Sequence, residues 1–319
     1  MKKKPTIWQI GSGERTRPYA DIFLRYGVGL IGPGDPGSWT PERVDEDYEG
    51  GFVRWIASEV ETGDVFLLRT GASMIAAIGI VAGKYEYLKE FDDVNGWDLQ
   101  HARRVRWCIL PKEYNFGEYT FAAQPSRFSR CWNNEVIQYV EKFLASPPTQ
   151  WQTAPLPDLP KEEPSLDDIP HFLQDFLATV RDVHPLFWDR QSFGDHPTED
   201  ELVGHFVLPF LKLLGWPPEL ISVKWNNIDV ALFSKLPRIP ENCYLIIEAK
   251  RLGAGVEGAL SQAKDYLKNL GIERDIVVTD GIRYRMYSYT DSFNKSVAYA
   301  NFMWLKQPAI ELINRLKRN

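Results

Sequence analysis

The sequence predicts two domains of different class: a small β-barrel with flanking helices, then a mixed α/β domain. Three observations carry this. A chain of 319 residues exceeds one ordinary domain. Residues 1–147 are dominated by short apolar runs between Gly-rich turns, the pattern of a small barrel. Residues 148–168 break that pattern: seven prolines fall between 145 and 170, among Thr, Gln and acidic residues, and no periodicity runs through them. They read as an extended, semi-rigid linker to a second domain over 169–319.

In the first domain Trp8, Gln9 and Ile10 read as the opening strand. Residues 27–32 spell G-x-G-x-x-G, but Pro33-Gly34-Asp35-Pro36-Gly37 follows where a helix would have to start. That excludes a dinucleotide fingerprint and leaves a strand entering a loop. Phe52, Val53, Ile56 and Val60 are spaced for a short amphipathic helix. Turns at Gly63-Asp64 and at 70–73 lead into strands over 65–68 and 74–81, and 105–109 gives a further strand. In the second domain Ile169, Phe172, Leu173, Phe176, Leu177 and Val180 mark an opening helix. A second helix runs from Thr198 towards Trp216. Two buried strands follow, 227–233 and 243–250, joined by a loop holding Pro237 and Pro240. Strands over 275–281, 283–287 and 297–302, and a helix from Pro308, complete the chain.

Composition bounds the function. With 44% hydrophobic and 25% charged residues, the chain belongs with soluble globular proteins. No apolar run approaches the ~18 residues of a membrane span, and Met-Lys-Lys-Lys-Pro has no signal-peptide core behind it. Cys108, Cys131 and Cys243 form neither a disulfide framework nor a zinc spacing, so a reducing cytoplasm is expected. Five scattered histidines argue against a histidine-based metal site. The net charge of −6 resolves into −2 for residues 1–150, −4 for 151–170 and zero for the remainder. Neither domain carries a charge that excludes DNA, and phosphate contacts would come from local clusters.

The chemistry concentrates where charge meets buried strand. Asp229 stands in one apolar run and Glu248 and Lys250 close the other. Residues two apart on a strand leave the same face, and an antiparallel neighbour can bring Asp229 to it. Two carboxylates with a lysine beside them suit Mg²⁺, whose remaining ligands come from water and phosphate.

This arrangement resembles the PD-(D/E)XK nuclease superfamily, with Ile228-Asp229 in place of Pro-Asp and Glu248-Ala249-Lys250 as the second half-motif. The flanking helix with Glu199 and Glu201, and Gln262-Ala263-Lys264-Asp265-Tyr266 as QxxxY, are similar to the nuclease domain of type I restriction subunits. The resemblance covers residues 170–300 and implies an αβββαβ core. It implies that Asp229, Glu248 and the Ala249 carbonyl hold Mg²⁺, with Mn²⁺ expected to substitute, and that Lys250 orients the attacking water. Gln262 would position Lys250, braced by Tyr266. Either Glu199 or Glu201 is the helix acid, since Thr198-x-x-Glu201 is also a capping box.

Residues 5–145 resemble the PUA-like superfamily that includes EVE and YTH modules, through Gly63-Asp64 with its strand, residues 76–83, and Arg104-Val105-Arg106-Trp107. Such modules read modified bases. A flipped base needs flat π surfaces. Trp39 and Trp97 sit in loops and are the expected walls, with Tyr85 and Tyr87 as further candidates. Arg103, Arg104 and Arg106 form either a phosphate contact or an ordinary solvated strand end. Together the two resemblances imply an endonuclease that cuts double-stranded DNA carrying a modified base, acting as a homodimer on DNA. The alternatives are a repair or RNA-directed nuclease, and a catalytically inactive nucleic-acid-binding protein.

Overall fold

The computed structural model of the chain describes residues 4–14, 17–48, 50–117, 120–121, 128–161 and 169–318. The chain divides into two units, Met1–Glu162 and Glu163–Asn319.

Among its described residues the first unit contains eight strands: β1 Ile7–Gly11, β2 Gly13–Glu14, β3 Arg17–Pro18, β4 Val28–Ile31, β5 Val65–Arg69, β6 Met74–Tyr87, β7 His101–Asn115 and β8 Phe128–Arg130. Six of them form one sheet in the order β4-β7-β6-β5-β1-β8, and β2 pairs with β3 in a small hairpin. The β1–β5 pair is parallel and the other pairs of the sheet are antiparallel. The sheet curls into a half-barrel, open between β4 and β8, where a barrel was expected. It is covered on both faces, which explains why β5 reads as an unbroken apolar run. Phe66 and Leu68 pack into one core with Phe23 of the helix Ala20–Tyr26. Val65 and Leu67 point the other way, into a core with Val136, Val140 and Phe143 of the helix Asn134–Ala145. That helix starts where Asn133 accepts hydrogen bonds from the backbone N–H groups of Glu135 and Val136. Gly79 of β6 makes room for side chains of β7: a Cβ there would lie 2.3 Å from Val105 and 2.6 Å from Trp107.

The expected linker is not free. Of residues 148–168, those at 162–168 lie outside the described residues, and the preceding stretch is strapped along the first unit. The Gln152 backbone N–H donates to the Trp107 carbonyl, and the Gln152 side chain accepts from the Trp107 N–H and donates to the Leu24 carbonyl. Thr149 donates to the Ile109 carbonyl at 2.6 Å, and Leu159 packs on the core that holds Trp107. Prolines suit such a strap, since each removes an N–H that would otherwise need a partner.

In the second unit β9 Ile221–Trp225, β10 Ile228–Phe233, β11 Cys243–Ala249, β12 Asp275–Thr279, β13 Arg283–Tyr287 and β14 Ser296–Asn301 make a mixed sheet in the order β14-β13-β12-β11-β10-β9. Only β11 and β12 run parallel, and the crossover between them is the helix Ala259–Leu270. That helix buries Ala259, Ala263 and Leu267, one residue per turn, and leaves Gln262 and Tyr266 on its outer side. Helices over 174–188 and 199–213 precede β9, and Ala309–Leu316 closes the unit. All six residues of β10 are buried, Asp229 included. Fully burying a side chain such as Leu232 stabilises by about 1.5–3 kcal/mol, so the strand tolerates a carboxylate only where something answers its charge.

Candidate active site

The sheet register assembles the site. Val230 pairs with Ile247, and one step further along the same ladder Asp229 comes opposite Glu248. On the other side of β10, Ile228 pairs with Trp225 and Val230 with Val223, which sets Lys224 opposite Asp229. Lys224, Asp229 and Glu248 therefore form one row across three strands, and residues directly opposed in antiparallel pairs share a face.

Each acid is answered differently. One Asp229 oxygen accepts from the Ala249 backbone N–H at 2.7 Å, and the other takes the Lys224 ammonium at 2.6 Å. Glu248 is 1% exposed; its Oε1 lies 3.8 Å from Lys250 Nζ, while its Oε2 is buried without a hydrogen-bond partner. Burial, and then the Asp229 charge, push the Glu248 carboxyl up to about 7. Lys250 donates to Gln262 Oε1 at 3.0 Å, and the Gln262 amide donates to the Tyr266 hydroxyl at 2.7 Å. Glu199 Oε1 lies 3.7 Å from Lys250 Nζ.

Asp229, Glu248, Lys250, Gln262, Tyr266 and Glu199 thus meet in one place. Glu201 does not join them. It accepts from the backbone N–H and hydroxyl of Thr198, whose oxygen in turn accepts from the Glu201 N–H, so it is the cap of its helix. Those bonds hold its carboxyl below the usual range. A residue at the third helical position turns back towards the cap, whereas the first position looks along the turn at Lys250. Of the two glutamates, Glu199 is the one that reaches Lys250.

Two partners escaped the sequence reading. Lys224 Nζ touches Asp229 and also Asp200 Oδ1, at 2.8 Å. Two lysines therefore divide four carboxylates, Lys224 holding Asp200 and Asp229, Lys250 lying between Glu199 and Glu248. The available signals were a lysine in the strand before Asp229 and an aspartate beside Glu199, both common on ordinary solvated surfaces.

Among the described residues, no three His, Cys, Asp or Glu side chains cluster into a ready-made metal site. The donor set still fits a hard cation that keeps most of its waters. The orphaned Glu248 Oε2 is a buried acceptor that needs either a proton or a cation.

In the first unit the expected phosphate ligands are mostly structural. Arg103 is 5% exposed and donates to the carbonyls of Ile56, Ala57 and Val60 at 2.7–2.9 Å. It thereby answers the carbonyls left unpaired at the end of the helical segment 52–59. Arg104 does the same for Tyr26 and Gly27 and also holds the Pro157 carbonyl at 2.6 Å. Arg103 is thereby withdrawn from phosphate, and the half-buried Arg104 has its Nε and Nη2 committed to backbone. Arg106 is exposed.

The expected base-binding aromatics are partly tied down. Tyr85 accepts from the Trp39 backbone N–H at 3.0 Å and bonds His101 Nδ1 at 2.8 Å. The Pro33 carbonyl, 2.9 Å from His101 Nε2, can only accept, so Nε2 carries the proton and Tyr85 donates to Nδ1. Burial pushes His101 down to about 4, which keeps it neutral. Tyr87 donates to the Gly34 carbonyl at 2.7 Å. Trp97 lies under the Arg17 guanidinium, 3.9 Å from the ring centre, and packs edge-on against Tyr19. Trp39 is half-buried and commits only its backbone N–H to these bonds.

A family model described as a domain of unknown function (DUF8426) matches residues 39–129. No curated protein matches the chain. Among solved structures, the chain is similar to a fragment assigned as the HsdR subunit of a type I restriction enzyme from Vibrio vulnificus YJ016. The identity is 23% and the TM-score 0.26, over 38% of this chain and 25% of that one. The chain spans a quarter of the length of that fragment, and a likeness of this size carries nothing about function.

Proposed function

We propose that the second unit is a metal-dependent phosphodiester hydrolase acting on double-stranded DNA. What supports this most is the convergence of Asp229, Glu248 and a Gln262-braced Lys250, with one buried Glu248 oxygen left without a partner. Asp229, Glu248 and the Ala249 carbonyl would hold Mg²⁺, or Mn²⁺ in its place. Bound there, the cation polarises the scissile phosphate and lowers the pKa of the attacking water. Gln262 fixes Lys250 so that its ammonium meets the developing negative charge without reorganising, a contribution worth ~10²–10³ in rate. Glu199 restrains the same ammonium from the helix side.

The first unit, in this reading, selects DNA carrying a modified base. Trp39 offers the stacking face, and Arg106 is the arginine of its strand end free to meet phosphate. A single site cuts one strand, so a double-strand break takes two copies or two successive cuts, and in this reading the active form on DNA is a homodimer. The test is incubation of the full chain and Mg²⁺ with matched unmodified, methylated, hydroxymethylated and glucosylated duplexes, beside Asp229→Asn and Lys250→Ala. Cutting should favour a modified duplex and be lost in both variants. Cutting that persists in EDTA, or survives both substitutions, overturns the assignment.

A further inference from the structure

We infer that Lys224 is a tethered cation that competes with the metal for Asp229 and so sets the metal concentration at which the site loads. The inference rests on the metal-dependent reading above and adds a residue outside its ligand set. Asp229 has two oxygens, and one is bound to the Ala249 backbone N–H, which cannot move without breaking the sheet. The oxygen not engaged by the backbone is the one that Lys224 holds at 2.6 Å, so a cation approaching it meets the ammonium already there. Lys224 is placed there by register, opposite Asp229 across the β9–β10 pair. Its backbone adopts the left-handed conformation, with φ at 54°, which a lysine takes at a cost when the surrounding chain requires it. Asn226 and Asn227, at 49° and 69°, continue that conformation through the turn, where asparagine tolerates it.

A second anchor makes the exchange workable. Asp200 Oδ1 holds the same ammonium at 2.8 Å, and its side chain is 70% exposed against 4% for Asp229. When a metal takes Asp229, Lys224 can stay on Asp200 instead of losing all its charge partners. Lys224 is itself 47% exposed, so water reaches the ammonium and the departure needs no opening of the core. Lys250 cannot play this part, since it touches Glu199, Glu248 and Gln262 and not Asp229. The two lysines therefore have different duties: Lys250 stays through the reaction, and Lys224 yields its place.

The experiment is calorimetric titration of Mn²⁺ into the metal-free full chain, its Lys224→Met variant and its Glu248→Gln variant. Methionine keeps the stem and removes the charge. The expected result is binding to the wild type, about tenfold tighter binding to Lys224→Met at the same stoichiometry, and loss of binding in Glu248→Gln. In parallel, acetylation of Lys224 in the wild type, read by peptide mass spectrometry, should speed up on adding Mn²⁺ while that of exposed Lys212 does not. Equal or weaker binding by a folded Lys224→Met overturns the inference and leaves the metal site standing. Should that variant fail to fold, the labelling decides: Mn²⁺ binding with no change at Lys224 overturns it too. No binding to either the wild type or Lys224→Met would overturn the metal-dependent reading itself, and this inference with it.

Discussion

Replacing Glu248 by glutamine should stabilise the metal-free protein strongly at pH 8 and only weakly at pH 5. Glutamine keeps the shape of the carboxyl group and cannot ionise. In the fold, burial and the Asp229 charge raise Glu248 from 4.5 to about 7. A folded-state pKa above the unfolded one means that the native chain binds the proton more tightly. Its stabilising contribution is complete below about pH 4.5 and is lost as pH rises to about 7. Above that, the ionised carboxylate costs the fold on the order of 3 kcal/mol, from 1.36 kcal/mol for each pH unit of displacement. With the side chain only 2% exposed, water screens little of this. The measurement is urea unfolding of wild type and variant in EDTA at pH 5, 6, 7 and 8, since two units need not unfold in one step. The gain should appear between pH 5 and 7, level off above, and shrink when Mg²⁺ is added to the wild type. A stability difference that is flat from pH 5 to 8, or a variant less stable at pH 8, would refute the reasoning.

Arg103→Met should lower stability by about 2–4 kcal/mol in thermal or urea melts, because carbonyls of Ile56, Ala57 and Val60 lose their donor. It should leave the salt dependence of DNA binding alone, whereas Arg106→Ala should reduce that slope in a fluorescence titration. Glu201→Ala should lower the melting temperature slightly and spare cleavage, and Glu199→Ala should do the reverse; the pair is read by melts and gel assays side by side. Gly79→Ala should destabilise by about 1–3 kcal/mol, since its Cβ would lie 2.3 Å from Val105.

The candidate site was the most legible part of the chain. Asp229, Glu248 and Lys250 stood out because buried strands seldom carry charge, and the two-residue period fixes which side chains share a face. Lys224 was invisible for the opposite reason: a lysine in a short, largely exposed strand is ordinary, and only the β9–β10 register brings it to Asp229. Arg103 and Arg104 misled because a sequence shows charge and not the carbonyl ends of helices against which that charge packs. Helix 134–145 was missed although Asn133 and the spacing of Val136, Val140 and Phe143 marked it, since the surrounding strands dominated the reading. Barrel closure was beyond reach, because it depends on whether β4 meets β8, a pairing between distant segments.

The strap over 149–159 changes where the first unit can be cut. A boundary at 147, where the proline-rich stretch begins, would strip Trp107 of its partner Gln152 and Arg104 of the Pro157 carbonyl. It would also uncover the core beneath Leu159. A fragment ending there should be poorly soluble for a reason unrelated to its function, and its failure to bind DNA would be misread as evidence against recognition. Ending it after Lys161 keeps the strap. The same bonds shorten the tether: instead of 21 extended residues with a reach of ~65 Å, the stretch over 149–159 is already spent on the first unit's own surface. The first prolines of the stretch should accordingly not mark a protease-sensitive site.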